Sequence, residues 1–165
     1  LFHDVTLNLF SEMIKKAKHL LKGMPEDKII DTSINLNLPA YIENDYLPQA
    51  ELRLEMYKRL AECKTLDELE VLKDEIIDRF GPFSKTFQNL IELTKLKIIS
   101  MPLMIKRIIG TNKRIECTFD SESPILADNK TNNVLVFNPQ EDNSILLLQN
   151  TFSTIISNLK LDEAS

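Results

Sequence analysis

Tryptophan is absent, and glycine occurs only three times, at Gly23, Gly81 and Gly110. No two of these glycines are close enough to form a loop that cradles phosphates, which argues against a nucleotide site of the usual glycine-rich kind. Histidine is almost as scarce. His3 and His19 both lie near the N-terminus, and neither has a cysteine or second histidine at metal-ligand spacing. A hydroxyl-based triad would need one of these two histidines as its base. His19 is read more simply as a residue on a helix surface. No cofactor and no metal are expected.

Other features are missing too. No apolar run approaches the ~20 residues of a membrane-spanning helix, and there is no signal-peptide pattern. The two cysteines, Cys63 and Cys117, lie far apart in different expected elements. They are read as reduced thiols of a cytoplasmic protein. Positive charge is not in excess: the net charge is −5, which disfavours an autonomous nucleic-acid binder whose affinity comes from Lys and Arg on phosphates.

What is present is the composition of a globular domain, 43% hydrophobic and 27% charged over 165 residues. A chain of this length can bury about 70% of its unfolded surface without disulfides or metal. It begins at Leu1 rather than Met, and is expected to be part of something longer.

Residues 7–22, LNLFSEMIKKAKHLLK, place Leu7, Phe10, Ile14, Ala17 and Leu21 at gaps of three and four, with lysines on the other face. This predicts an amphipathic helix closed by Gly23 and Pro25. Residues 34–38, INLNL, alternate as a strand that turns Ile34, Leu36 and Leu38 inward. An ordered loop, AYIENDYLP, follows.

Three helices are expected next. The first starts at about Pro48 and ends near Cys63, with a wide apolar arc of Leu52, Leu54, Met56, Tyr57, Leu60, Ala61 and Cys63 that implies burial on more than one side. The second opens on a Thr65–Glu68 capping box and closes on Gly81 and Pro82. Leu66, Leu69, Leu72, Ile76 and Phe80 form its inner stripe. The third runs from Ser84 as N-cap to about Ser100, and its many apolar positions place it centrally.

Beyond residue 101 the pattern changes. IKRIIG and RIECTF flank TNK as a hairpin. Such a hairpin would place Lys and Arg on edge strands, where they deter sheet-to-sheet pairing. NVLVF and SILLL read as short buried or half-buried strands, and 151–161 returns to helical spacing. The fold expected is α+β, a mixed or antiparallel sheet with helices packed on one side, preceded by the N-terminal helix. Residues 1–23 would connect, and 24–165 would form a single α+β domain.

Two charged clusters are candidate sites. The second helix carries Asp67, Glu68, Glu70, Asp74, Glu75 and Asp78 against Lys73 and Arg79. Acids suit a helix N-terminus but oppose the partial negative charge at its C-terminus. Asp74 and Asp78 repel as an i,i+4 pair, whereas Glu75 and Arg79 attract. The plain reading is a solvated face with partial internal compensation. The sharper one is a face kept for a basic partner. Using these carboxylates for acid–base catalysis would require shifted titration, and no enzymatic role is expected. The second cluster, Lys106, Arg107, Lys113 and Arg114, could contact nucleic-acid phosphates, but no aromatic is interleaved for base stacking.

The segments LPAYI, DYLP, RLEMYKRLA, DRFGP and LIELTKLK follow in that order between residues 34 and 98. In them the chain resembles the C-terminal domain of the bacterial transcription-repair coupling factors, the Mfd family. The segment LNLFSEMIKKA is similar to the family's connection from the motor, although the family's glycine before it is missing. After about residue 101 the match fades.

The resemblance implies a non-enzymatic regulatory module of an ATP-driven DNA translocase, a protein that moves stalled RNA polymerase and recruits excision repair. The ATPase motifs belong to the motor. The module would dock on the protein's own N-terminal UvrB-like region, mask the surface that binds UvrA, and restrain the motor until RNA polymerase is engaged. The acids of the family's E-x-x-D-R-F-G segment take part in that docking, and they correspond here to Glu75 and Asp78. DNA would be a partner of the whole protein, and a membrane would not.

Overall fold

The computed structural model describes residues 30–124, 133–139 and 144–164. The amphipathic helix expected over residues 7–22 lies outside them. Element order is β1 (Ser33–Asn35), α1 (Ala50–Glu62), α2 (Leu66–Phe80), α3 (Lys85–Ser100), a 3-10 turn (Met101–Leu103), β2 (Ile105–Gly110), β3 (Ile115–Phe119), β4 (Val134–Phe137) and α4 (Ser144–Ala164). The fold is α+β with a mixed sheet, as the sequence led us to expect. By internal contacts the chain divides into two compact units. One contains residues 38–98, and the other contains 30–37 with the described residues from Ile99 onward.

In the first unit, three helices bury one side each. The core is drawn from Met56 and Leu60 of α1, Leu69, Leu72 and Ile76 of α2, and Phe87, Leu90, Ile91, Leu93 and Leu96 of α3. The wide arc expected on α1 is narrower in the structure: only Met56 and Leu60 are buried, and Leu54 faces solvent. Leu66 likewise leaves the inner stripe of α2 and is exposed. The helix starts two residues after Pro48, with Gln49 as N-cap.

The loop before α1 is ordered because its polar groups are used. Tyr57 Oη accepts from Ile42 N at 2.7 Å, and Asn89 Nδ2 donates to the Pro39 carbonyl at 2.9 Å. Arg53 Nη1 donates to the carbonyls of Leu47 and Pro48, both at 2.8 Å. Satisfied backbone groups let Ala40, Ile42 and Leu47 be buried without penalty.

The second unit is built on a sheet of order β1-β2-β3-β4. β1 is parallel to β2, with Ile34 opposite Ile108, and the remaining pairs are antiparallel. The hairpin and β4 form where the sequence predicted strands. β1 ends at Asn35, and Asn37 adopts a left-handed conformation (φ 49°). A register shift between Ile105 and Arg107 leaves both Lys106 and Arg107 exposed while Ile105 and Ile108 face inward. One extra residue in the strand resets the alternation.

Three expectations fail here. SILLL is the start of α4, not a strand. An unbroken apolar run carries no period of its own, and this one joins the helical spacing that follows it. β4 is exposed rather than buried or half-buried: Val134, Leu135 and Val136 are 38–42% exposed, and among the described strands it pairs with β3 alone. Lys106 and Arg107 do not guard an edge either, since β2 lies between β1 and β3.

Gly110 is required by close approach at the hairpin turn. A Cβ there would stand 2.2 Å from the Arg114 carbonyl oxygen and 2.6 Å from Ile115 Cα. Both thiols are free, and burial pushes Cys117 up to about 12. Among the described residues, no helix is long and apolar enough to cross a membrane.

Candidate partner-binding site

Helix α2 holds both acids of the first cluster's motif, and its ends are fixed locally. Thr65 Oγ1 accepts from Glu68 N at 3.1 Å, and Glu68 Oε2 accepts from Lys64 N at 2.8 Å. The Thr65 half is the bond that the capping-box spacing predicted, whereas Glu68 reaches one residue further back than the N-cap, to Lys64 N. At the other end Gly81 N donates to the Ile77 carbonyl at 2.8 Å, with Gly81 at φ 91° and ψ −176°. That region is essentially open to glycine alone. The exit is held by Tyr46, whose Oη donates to the Gly81 carbonyl at 2.7 Å. The Tyr46 ring meets Phe87 edge-on at 5.2 Å, and Phe83 lies 4.8 Å from Phe87.

Along α2, Leu69, Leu72 and Ile76 turn inward. Asp67, Glu70, Asp74 and Asp78 are exposed. Asp67, Asp74 and Asp78 form no ion pair with any of the described residues, whereas Glu70 is 3.1 Å from Lys73 Nζ.

Glu75 differs from the other acids. Arg59, in the last turn of α1, donates to both of its carboxylate oxygens, Nη1 to Oε2 and Nη2 to Oε1, the latter at 2.9 Å. Arg79 Nη1 adds a longer contact to Oε2 at 3.4 Å. The Arg79 guanidinium also lies 4.8 Å from the centroid of the Phe80 ring. Arg79, the counterion that the local sequence offered, is therefore not the main one. The main one comes from 16 residues upstream. Even so, the Glu75 side chain remains 38% exposed.

The hydrogen bonds from Arg59 hold the Glu75 carboxyl below its ordinary value of 4.5, against a smaller opposing effect of desolvation. A depressed carboxyl contributes stability that is complete above its unfolded value and is lost as pH falls through the folded one. Glu75→Gln is therefore expected to lose less stability than the wild type as pH falls from neutrality through 4.5 and below it. Urea midpoints at each pH measure this, and identical acid slopes for the two proteins would exclude the pairing. At neutral pH the substitution should cost little, because solvent-exposed ion pairs add little to stability.

The second cluster is dispersed and partly compensated. Lys106 Nζ is 3.6 Å from Asp120, and Arg114 Nη2 is 3.0 Å from Glu116. Arg107 stands on β2, three residues from the strand's end, and Lys113 lies in the turn. Two of the four cations are thus engaged within their own unit, and only Arg107 and Lys113 are in no ion pair with described residues. Among the described residues, no group of acids, cysteines and histidines is arranged to hold a metal ion.

Comparison with known proteins adds to this geometry. The model of the TRCF domain matches residues 36–130. The transcription-repair-coupling factor of Escherichia coli (strain K12) is 32% identical over 114 residues, which cover 66% of this chain and 10% of that protein. That of Staphylococcus aureus (strain USA300) is 29% identical over 114 residues, covering 68% and 10%. The chain thus spans about a tenth of the length of these relatives. A crystal structure of the C-terminal domain of transcription-repair coupling factor is similar with a TM-score of 0.66 and 21% identity, over 77% of this chain and 94% of that one. At that identity the likeness concerns the fold.

Proposed function

The chain belongs to the TRCF-domain family of the transcription-repair coupling factors, and from that premise we propose that it is a non-enzymatic, autoinhibitory interaction module. It docks on the UvrB-like N-terminal module of its parent protein and masks the surface that receives UvrA. It also restrains the motor until RNA polymerase is engaged. The parent is a cytoplasmic, ATP-driven translocase on DNA.

The observation that carries this reading is the exposed, uncompensated acid at the C-terminal end of α2. Asp78 lies one turn after Asp74, both face solvent, and neither is paired among the described residues. Asp78 sits in the last turn, where the helix dipole disfavours negative charge. A fold gains nothing from such an arrangement, whereas a cationic partner relieves it. Glu75 has a double part: Arg59 and Arg79 fix its position, and its exposed edge adds to the field beside Asp78.

An interface of this type suits a switch. Charge complementarity gives register and fast encounter, and it releases when a competing state is favoured. Masking is then a population shift, and the polymerase complex need only bind the open state better by a few kcal/mol.

Binding of this chain to the separately produced N-terminal module, compared at low and high salt, tests the reading. Asp78→Lys is expected to weaken binding about tenfold or more at low salt without changing the fold. In the parent protein the same substitution should raise UvrA binding and basal ATPase activity. Unchanged values of all three would refute the assignment.

The alternative of a nucleic-acid-binding accessory domain is less well supported, since Lys106 and Arg114 already have carboxylate partners. Steep, salt-dependent binding to duplex DNA that disappears when Arg107 and Lys113 are replaced would favour it instead.

A further inference from the structure

We propose that Arg59 is an internal competitor of the docking partner: it occupies the carboxylate of Glu75, and a basic side chain of the partner engages Glu75 fully only by displacing it. This rests on the docking reading above and adds to it a device that keeps the docked state weak enough to open.

A carboxylate offers about four lone-pair directions. On Glu75, three are in use. Arg59 Nη1 takes one on Oε2, and Arg59 Nη2 takes one on Oε1 at 2.9 Å. Arg79 Nη1 takes a second on Oε2 at 3.4 Å. The direction left on Oε1 admits a single hydrogen bond. The strong, two-pronged form of carboxylate recognition needs both oxygens, so a second cation can adopt it only when Arg59 leaves. Asp78 differs, since it has no ion pair among the described residues and can be met without displacing anything.

Charge acts in the same direction. Arg59 and Arg79 bring two positive charges to the one negative charge of Glu75. This trio is net cationic, and a cationic surface approaching it meets repulsion as well as an occupied acid. Like charges opposed across an interface lower affinity.

The Arg59–Glu75 bond is also easy to exchange. The two side chains are 35% and 38% exposed, and an ion pair open to water adds little to stability. Arg59 stands in the last turn of α1, whereas the ends of α2 are fixed by Thr65 and Gly81. Its release therefore leaves α2 intact. In the undocked state Arg59 keeps Glu75 paired, which lowers the free energy of that state relative to the docked one. A competing complex then needs less differential affinity to open the switch.

A double-mutant cycle separates this competition from a general effect of charge. The 165-residue chain is titrated with the N-terminal module of the parent at low salt, and the folding of each variant is checked by circular dichroism. Arg59→Gln is expected to bind about tenfold tighter. In a Glu75→Gln background the same substitution should gain only about twofold, because no carboxylate is withheld there and only a positive charge is removed. Arg59→Lys should gain about threefold, since an ammonium keeps the charge but cannot span both oxygens. It carries the test if Arg59→Gln does not fold, and no gain would then count against the competition. In the parent protein, Arg59→Gln should lower UvrA binding and basal ATPase activity, opposite to Asp78→Lys. Equal gains in the two backgrounds overturn the inference, because Arg59 would then act through its field alone. Weaker binding of Arg59→Gln overturns it too, by making Arg59 a residue that positions Glu75 for the partner. Either result leaves the docking reading intact if Asp78→Lys still weakens binding. An unaltered chain that binds the module at no salt overturns both.

Discussion

Phe87→Ala is expected to lower the stability of the first unit by about 3–5 kcal/mol. Phe87 is 0% exposed near the start of α3, with Tyr46 and Phe83 against it at 5.2 and 4.8 Å. Truncation removes the transfer free energy of the ring and leaves a cavity that its neighbours fill only in part. It also removes aromatic contacts worth about 0.5–1.5 kcal/mol each beyond area burial. Domains of this size have only ~5–15 kcal/mol in total, so the loss is a large fraction. The protein offers a selective probe. It has no tryptophan, and its three tyrosines, Tyr41, Tyr46 and Tyr57, all lie in the first unit. Tyrosine fluorescence during urea unfolding therefore follows that unit alone. A midpoint shift equivalent to less than about 1 kcal/mol would mean that the ring is not central to the core. Phe87→Leu, which keeps most of the volume, should recover much of the loss.

Ile108→Ala should cost the second unit about 2–5 kcal/mol. Ile108 is 0% exposed and lies on β2, opposite Ile34 of β1 on one side and Cys117 of β3 on the other. Alanine would both open a cavity and place a poor strand former in a strand paired on both sides. Because no tyrosine lies in this unit, amide hydrogen exchange is the measurement. Protection of the β2 and β3 amides should fall in proportion to the lost stability. Ile108→Val, one methylene smaller, should cost only about 0.5–1.5 kcal/mol. Equal protection in Ile108→Ala and wild type would contradict the sheet order described here.

These two sites differ in how far the sequence revealed them. Phe87 was legible as a core residue of the third helix, because Phe87, Leu90, Ile91 and Leu93 crowd about two turns. The inward direction of Ile108 was hidden. In IKRIIG the register shift at Lys106 breaks the alternation that normally marks a half-buried strand. The sequence also suggested that the basic residues of this hairpin lie on a sheet edge. Pairing with β1, more than seventy residues upstream, makes β2 internal instead.

The candidate site shows the same division. The spacing of Asp67, Asp74 and Asp78 and their place opposite the apolar stripe could be read directly, because a helix fixes which residues share a face. The bond from Arg59 to Glu75 could not, since it joins two helices whose packing no local pattern specifies.

The sequence alone determined the limits of α2: the Thr65 side chain satisfies a free donor of the first turn, and Gly81 adopts a conformation closed to other residues before Pro82 ends the helix. It also determined the inward sides of α2 and α3 and the α+β character of the chain. All of these are set by interactions within a few residues, which the order of side chains encodes outright. Tertiary structure decided the sheet order and the division of labour among the acids. Each of those depends on which distant segment supplies a neighbour. Glu75 is held by an arginine of another helix, whereas Asp78, one turn away, has no such neighbour among the described residues and keeps its charge in water.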